Sequence, residues 1–310
     1  MGSHLRWLTS VVVGGVLIAS TTHARAQGQA ASQAPPARTY PTEITNTRFN
    51  AGQSVVPYFE GWIRNPDESF DLVFGYFNRN WKEELAIPAG PDNKFEPGSA
   101  DGGQPTYFLP RRQRWVVRYR VPADFGKKTV TWSITANGRT EKTYGELIPA
   151  EELTERVLMT NGNFNPGESD PNQPPSITLA PLQDVVAGLP VTLTASVQDD
   201  GLPKPRPVAA PPPPPPPTAG GRGVTAQVNS SGQGRPRGLR VNWMEYRGPG
   251  KVTFGAAGPT LVVNGQVSTS ATFAVPGTYV LRATANDGQL SRFVNVTVTV
   301  KPGASTQGQQ

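Results

Sequence analysis

Both histidines of the chain, His4 and His23, fall in an N-terminal segment with the form of a cleavable leader, and there is no cysteine. A mature chain would carry neither imidazole nor thiol. That excludes Ser-His-Asp and Cys-His nucleophilic catalysis, histidine acid–base chemistry, and zinc, haem or iron–sulfur ligation. What remains is carboxylate chemistry, cations held by oxygen, and binding. A glycosidase-type pair needs two acids about 5–9.5 Å apart. Glu60, Glu83, Glu84 and Asp92 are available in the first half, but nothing in their spacing selects two of them. The residue types therefore point to a non-enzymatic protein with no cofactor.

Two sets of side chains are suited to binding. Arg111, Arg112, Arg114, Arg118 and Arg120 crowd one segment, and a period of two puts Arg114, Arg118 and Arg120 on one face of a strand. Such a stripe either grips an anionic ligand or is a solvated face balanced by nearby acids. Aromatic residues are dense from Phe49 to Tyr144. Most must form core, because a sandwich of this size needs them. Tyr58, Trp81 and Tyr107, outside the alternating strands, are the candidates for an exposed platform on which sugars stack.

These groups must be carried by an exported chain. Arg6, an apolar run from Val11 to Ala19, and Ala24-Arg25-Ala26 have the three-part form of a signal peptide over 1–26. The apolar run is shorter than the ~20 residues of a membrane-spanning helix, and no later segment is apolar enough to span. Periplasm, outer surface or medium follow as compartments. With no disulfides, stability must come from packing alone. Residues 27–170 hold 16 basic and 18 acidic residues, whereas 171–310 hold 11 and 5, so the basic excess belongs to the second half.

Residues 27–40 read as a disordered spacer, 41–160 as an aromatic-rich β-sandwich, 161–175 as an exposed linker, 176–301 as a second sandwich and 302–310 as a disordered tail. In the first block, 114–121 and 128–136 alternate with period two, placing Trp115, Val117, Tyr119 and Val121 on one face. Residues 70–77 are apolar on both faces, as a central strand would be. Asn137-Gly138 joins 128–136 to 139–145 as a type I′ hairpin turn. Residues 88–105 are a Pro/Gly/Asp-rich loop, and 151–158 form one or two helical turns. The fold class is all-β, two antiparallel sandwiches in tandem.

In the second block, 191–197, 239–243, 267–273, 279–285 and 293–300 alternate in the same way. The run Ser270 to Gly288 (Ser-Ala-Thr-Phe-Ala-Val-Pro-Gly-Thr-Tyr-Val-Leu-Arg-Ala-Thr-Ala-Asn-Asp-Gly), followed by Val294 to Val300, resembles the end of a PKD-type immunoglobulin-like domain. Val241-Asn242-Trp243 and Gly248-Pro249-Gly250 are similar to the middle of that family. The resemblance implies an Ig-like sandwich over 176–301, with Tyr279 as a corner tyrosine, serving as a spacer or binding unit. The first block is similar to exported bacterial proteins of unassigned function through Asn65-Pro66, Phe74 to Asn80 and Phe108 to Arg112, and no role follows from that. In an Ig-like sandwich, the loops holding Asp199-Asp200-Gly201 and Asn286-Asp287-Gly288 share one end. Asp199, Asp200 and Asp287 are then candidate ligands for Ca²⁺, which takes 6–8 oxygens, although Asp-Gly is equally ordinary turn chemistry.

The departure from the family pattern is an insertion, 201–238. It holds seven consecutive prolines and Lys204, Arg206, Arg222, Arg235 and Arg237 with no acid. It is either a tolerated disordered loop or an electrostatic tether for an anionic surface, with Arg235 and Arg237 as anion-binding candidates. No aromatic interleaves those charges, so nucleic acid is not an expected partner. Together these readings predict an envelope protein acting in adhesion, scaffolding or partner binding, its partner another envelope protein or a polysaccharide. Carbohydrate recognition by the first block is the alternative.

Overall fold

The computed structural model describes residues 48–162, 170–182, 185–204 and 238–303. The leader, the spacer, nearly all of the insertion with Arg235 and Arg237, and most of the tail lie outside the described residues. The fold is all-β and antiparallel. No helix among the described residues is long and apolar enough to cross a membrane.

The first block is two three-stranded sheets packed face to face. β1 (Val55–Arg64), β2 (Phe70–Asn78), the short β3 (Leu85–Ala86), β4 (Asn93–Glu96), the short β5 (Tyr107–Phe108), β6 (Arg111–Val121), β7 (Val130–Ala136) and β8 (Arg139–Gly145) follow in chain order. The sheets have the orders β1-β2-β6 and β4-β7-β8. β2 is central, which is why its residues are apolar on both faces. Phe74 packs against Phe95 and Trp132 across the layers, with ring centroids 5.2 and 6.1 Å apart. Asn137 and Gly138 both take positive φ, 50° and 74°, as a type I′ turn requires.

The proline-rich segment expected as a loop contains β4. Its alternation is too short to read, and buried Asn93 is what fixes it. The Asn93 amide donates to the carbonyls of Ile87 and Pro105, and its oxygen accepts the Trp132 indole N–H at 3.0 Å. After β8, a 3₁₀ turn at Pro149–Glu151 leads to α1 (Glu155–Met159), whose Thr154 cap accepts from Val157 N–H.

The second block is a sandwich of two four-stranded sheets. Its strands are β9 (Ser176–Leu179), β10 (Pro190–Gln198), β11 (Arg240–Arg247), β12 (Val252–Phe254), β13 (Thr260–Leu261), β14 (Gln266–Phe273), β15 (Gly277–Asn286) and β16 (Ser291–Val300). The orders are β12-β14-β10-β9 and β13-β11-β15-β16. Leu193, Phe273, Tyr279 and Leu281 fill one core cluster, and Val197, Val241, Ala283 and Ala285 another. The Tyr279 hydroxyl donates to the carbonyl of Val275 at 2.8 Å, the bond a corner tyrosine makes.

The blocks are joined by more than covalent chain. Tyr246 of β11 is buried in the aromatic core of the first block, and its hydroxyl donates to Gly103 O at 2.6 Å. Thr106 N–H donates to Tyr246 O, Gly248 N–H to the Thr106 hydroxyl, and Arg247 to Gln104 O and Asp101. Lys251 pairs with Glu84 at 3.0 Å, and the Tyr107 hydroxyl donates to the same carboxylate. Part of the segment expected as an exposed linker is also held. Asn172 is buried, its amide donating to Gln289, and Gln173 N–H donates to Asp200.

Candidate functional site

The site begins with an irregularity in β6. Against β2 the register runs from Phe70↔Val121 to Phe74↔Val117 and resumes at Tyr76↔Gln113, so Gly75 alone faces Arg114, Trp115 and Val116. Bulges of this kind re-aim side chains. Strict alternation placed Trp115 on the core face. Instead Val116 is buried, and Trp115, at φ 55°, donates its indole N–H outward to Asn161 Oδ1 at 3.2 Å. Gly75 is required here because a Cβ would overlap the Glu60 carboxylate and Gln113 O. Gly75→Ala is expected to destabilise the fold by about 1–3 kcal/mol, read as a lowered midpoint in denaturant. An unchanged midpoint would mean that the bulge relaxes freely.

Half-buried Glu60, its side chain 6 % exposed, sits beneath the bulge and draws two guanidinium groups to it. Arg112 lies at 2.8 Å and Arg114 at 4.0 Å. Burial raises the Glu60 pKa, while the two arginines pull it back. Arg114 also donates to Asn161 O at 3.1 Å, just past the end of α1, where Gly162 takes φ 68° and leaves room for the guanidinium. Arg118 makes a two-pronged pair with Glu155 at 2.5 and 2.8 Å, from the first turn of α1.

The facing wall comes from the second block. Arg282 of β15 is only 6 % exposed. It donates to Val116 O at 2.8 Å and to Asn295 Oδ1 at 2.9 Å, with its guanidinium 4.1 and 4.0 Å from the Tyr246 and Phe293 rings. Burial lowers its pKa from the ordinary guanidinium value, yet arginine keeps its proton in proteins. Among the described residues no carboxylate pairs with it, and none pairs with exposed Arg292. A buried charge without a counter-ion is costly unless dipoles and rings compensate. Here a carbonyl, an amide oxygen and two aromatic faces do so.

Together these groups line a cleft of about 850 Å³ between the blocks, with Arg112, Arg114, Arg118, Arg282 and Arg292 on its walls. Glu60 and Glu155 are the carboxylates that answer them, with Asp71 4.0 Å from Arg118. One buried nitrogen of Arg112 has no hydrogen-bond partner among the described residues. The cleft has an excess of positive charge, with exposed Arg292 unpaired among the described residues, the chemistry that holds carboxylate, sulfate or phosphate.

Of the anion-binding candidates, Arg114 and Arg118 line this cleft. Arg120 does not; it is paired with Asp71 at 2.9 Å and Asp67 at 3.7 Å, and those acids raise its pKa. Of the candidates for a sugar platform, Tyr58 and Trp81 are exposed, 41 % and 39 %. Tyr107 is buried rather than exposed, because β5 packs against β11 and its hydroxyl is taken by Glu84. Two guanidinium groups, Arg48 and Arg111, lie over the Trp81 ring at 4.5 and 4.2 Å, and Arg112 lies 4.0 Å over Tyr58.

The calcium candidates act as turn acceptors. Asp199 accepts from Gly201 N–H, Asp200 from Leu202 and Gln173, and Asp287 from Gln289 and Leu290. Burial first, and then the charges of Asp287 and Asp200, raise the Asp199 pKa, so the two loops do lie at one end. Among the described residues, however, no group of three or more acids is placed to hold a metal ion. Arg112, Arg282, Arg292, Trp115 and Phe293 were not singled out as cleft residues from the sequence.

Fold and cleft together define an antiparallel β-sandwich protein with an arginine-lined groove where its two blocks meet. No protein-family model matches the chain, and no curated protein matches it. Among solved structures it is similar to the fibronectin(III)-like modules of Clostridium thermocellum CbhA, at 12 % identity and a TM-score of 0.23, over 83 % of this chain and 99 % of that one. A superposition that loose carries no argument about ligands.

Proposed function

We propose that the chain is an exported, non-enzymatic binding protein of the cell envelope that holds an anionic partner in the cleft between its two blocks. The observation that carries this reading is a groove with five arginines on its walls, of which exposed Arg292 and buried Arg282 have no carboxylate partner among the described residues. A concave site lined by one sign of charge concentrates oppositely charged ligands. The resemblance of the second block to PKD-type domains agrees with a binding or spacing role, and the leader with export. Carbohydrate recognition through Tyr58, Trp81 and Tyr107 is less favoured, since Tyr107 is buried with its hydroxyl taken by Glu84.

Retention of the purified full chain on immobilised dextran sulfate, with uncharged dextran as control, tests the reading. Binding is expected to weaken as salt rises, because exposed charge interactions are screened. Arg292→Glu, a change at an exposed position, is expected to weaken retention about tenfold, equivalent to ~1.4 kcal/mol. Retention equal to wild type in that variant would place the anion elsewhere and overturn the assignment of the cleft.

A further inference from the structure

The β11-β15-β16 sheet presents two adjacent cross-strand rows toward the cleft. Asn242 on β11 is paired with Thr284 on β15, and Thr284 with Phe293 on β16. The next row is Met244, Arg282 and Asn295. All but Asn295 line the cleft. An amide, a hydroxyl and an aromatic ring thus lie side by side, one residue pair along the sheet from the buried guanidinium.

Each group has spare capacity. Asn242 and Thr284 make no side-chain hydrogen bond among the described residues. Phe293 is 42 % exposed although its ring also contacts Arg282. Trp115 adds a second ring on the wall opposite, its indole N–H fixed by Asn161 and the Arg114 guanidinium 4.6 Å from its ring.

Resting on the anionic reading of this cleft, we infer that its ligand is an acidic oligosaccharide, a chain of pyranose rings bearing carboxylates. A carboxylate accepts two parallel N–H bonds from a guanidinium, and exposed Arg292, unpaired among the described residues, offers such a fork. Phosphate would need donors alone. Sugar hydroxyls need donors and acceptors together, which an amide and a hydroxyl supply and arginine does not. The C–H face of a pyranose carries partial positive charge and settles on the negative face of an aromatic ring. A nucleic acid would call for rings interleaved along a basic track, whereas Trp115 and Phe293 lie on two walls of one bounded groove. The cleft volume, about 850 Å³, falls within the range of sites for small ligands and suits a short oligosaccharide.

Calorimetric titration of the full chain separates this inference from the one beneath it. The ligands are trigalacturonate, neutral galactotriose and inorganic triphosphate, each at the same ionic strength. Trigalacturonate is expected to bind at least about tenfold more tightly than either of the others. Phe293→Ala is expected to reduce its affinity by about tenfold, a loss typical of a central aromatic contact, and Phe293→Tyr to restore it. Unchanged thermal midpoints would establish that both variants fold. Triphosphate binding as tightly as trigalacturonate, with Phe293→Ala without effect, would overturn the saccharide and leave the anion site standing. Equal binding of the neutral and charged trisaccharides, unaltered by Arg292→Glu, would overturn both, as would no binding by any of the three.

Discussion

Tyr246→Ala should lower the stability of the whole protein by about 3–5 kcal/mol, the cost of truncating a buried aromatic. Tyr246 is 4 % exposed and belongs by sequence to the second block, yet it packs in a core otherwise built from residues 55 to 136. Truncation would open a cavity in one sandwich and remove a ring from beside the Arg282 guanidinium, 4.1 Å away. It would also leave Gly103 O without its hydroxyl donor. Tyr246→Phe isolates that last contribution and should cost only about 1 kcal/mol. Denaturant unfolding of the two variants checks both numbers. If the alanine variant loses less than the phenylalanine variant is expected to, the joint holds nothing together. If it loses the full amount, the cleft walls are fixed by a shared core, and the groove is preformed rather than assembled by a ligand.

Tyr246 also shows where reading the sequence stops. Strands whose pattern is set by local packing were legible: 70–77, 128–136 and 279–285 match β2, β7 and β15 within a few residues, and Asn137-Gly138 forms its turn. β1 was not read. A register shift at Gly61 breaks its alternation, so neither half carries a long enough pattern. Trp115 was misplaced by the same physics, since period two assumes an uninterrupted ladder and the bulge opposite Gly75 interrupts it. A missing Cβ at position 75 was the one signal available. Arg114 and Arg118 were recognised as anion-binding candidates because they lie on a local stripe. Arg282 was not, because its strand marks it only as facing away from its own core. Phe293 is on the next strand, but burial also needs Val116 and Tyr246, far away in sequence, and no local pattern encodes that meeting.

The joint should also make stability depend on pH, through Glu245. This carboxyl is 2 % exposed. One oxygen accepts from Val252 N–H at 2.8 Å, and the other is buried without a partner among the described residues. Burial is the main cause pushing its pKa up to about 8, and the charge of Glu84 adds to it; the Val252 N–H and Lys251 act against the shift. Tyr107 and Tyr279 face the same group; burial is the main cause that raises the pKa of both, with Glu84 next at Tyr107 and the charge of Glu245 a smaller addition at each.

The folded protein therefore keeps a proton on Glu245 between pH 4.5, the ordinary value, and about 8, where the unfolded chain has released it. Where the native state binds the extra proton, stability falls as pH rises, by at most ~1.4 kcal/mol per unit. The contribution is complete below pH 4.5, declines across that interval by an amount on the order of several kcal/mol, and is constant above about 8. Glu245→Gln retains an oxygen to accept from Val252 N–H and cannot ionise, so its stability should lack this decline. Unfolding midpoints of both proteins at pH 5, 7 and 9 decide the matter. The difference between them should change in favour of the glutamine variant as pH rises. Parallel curves would show that Glu245 reaches water or a counter-charge on ionising, and that the joint tolerates the charge. Diverging curves would make one carboxyl, set beside Tyr246 in the chain, a determinant of how firmly the two walls of the cleft are held at alkaline pH.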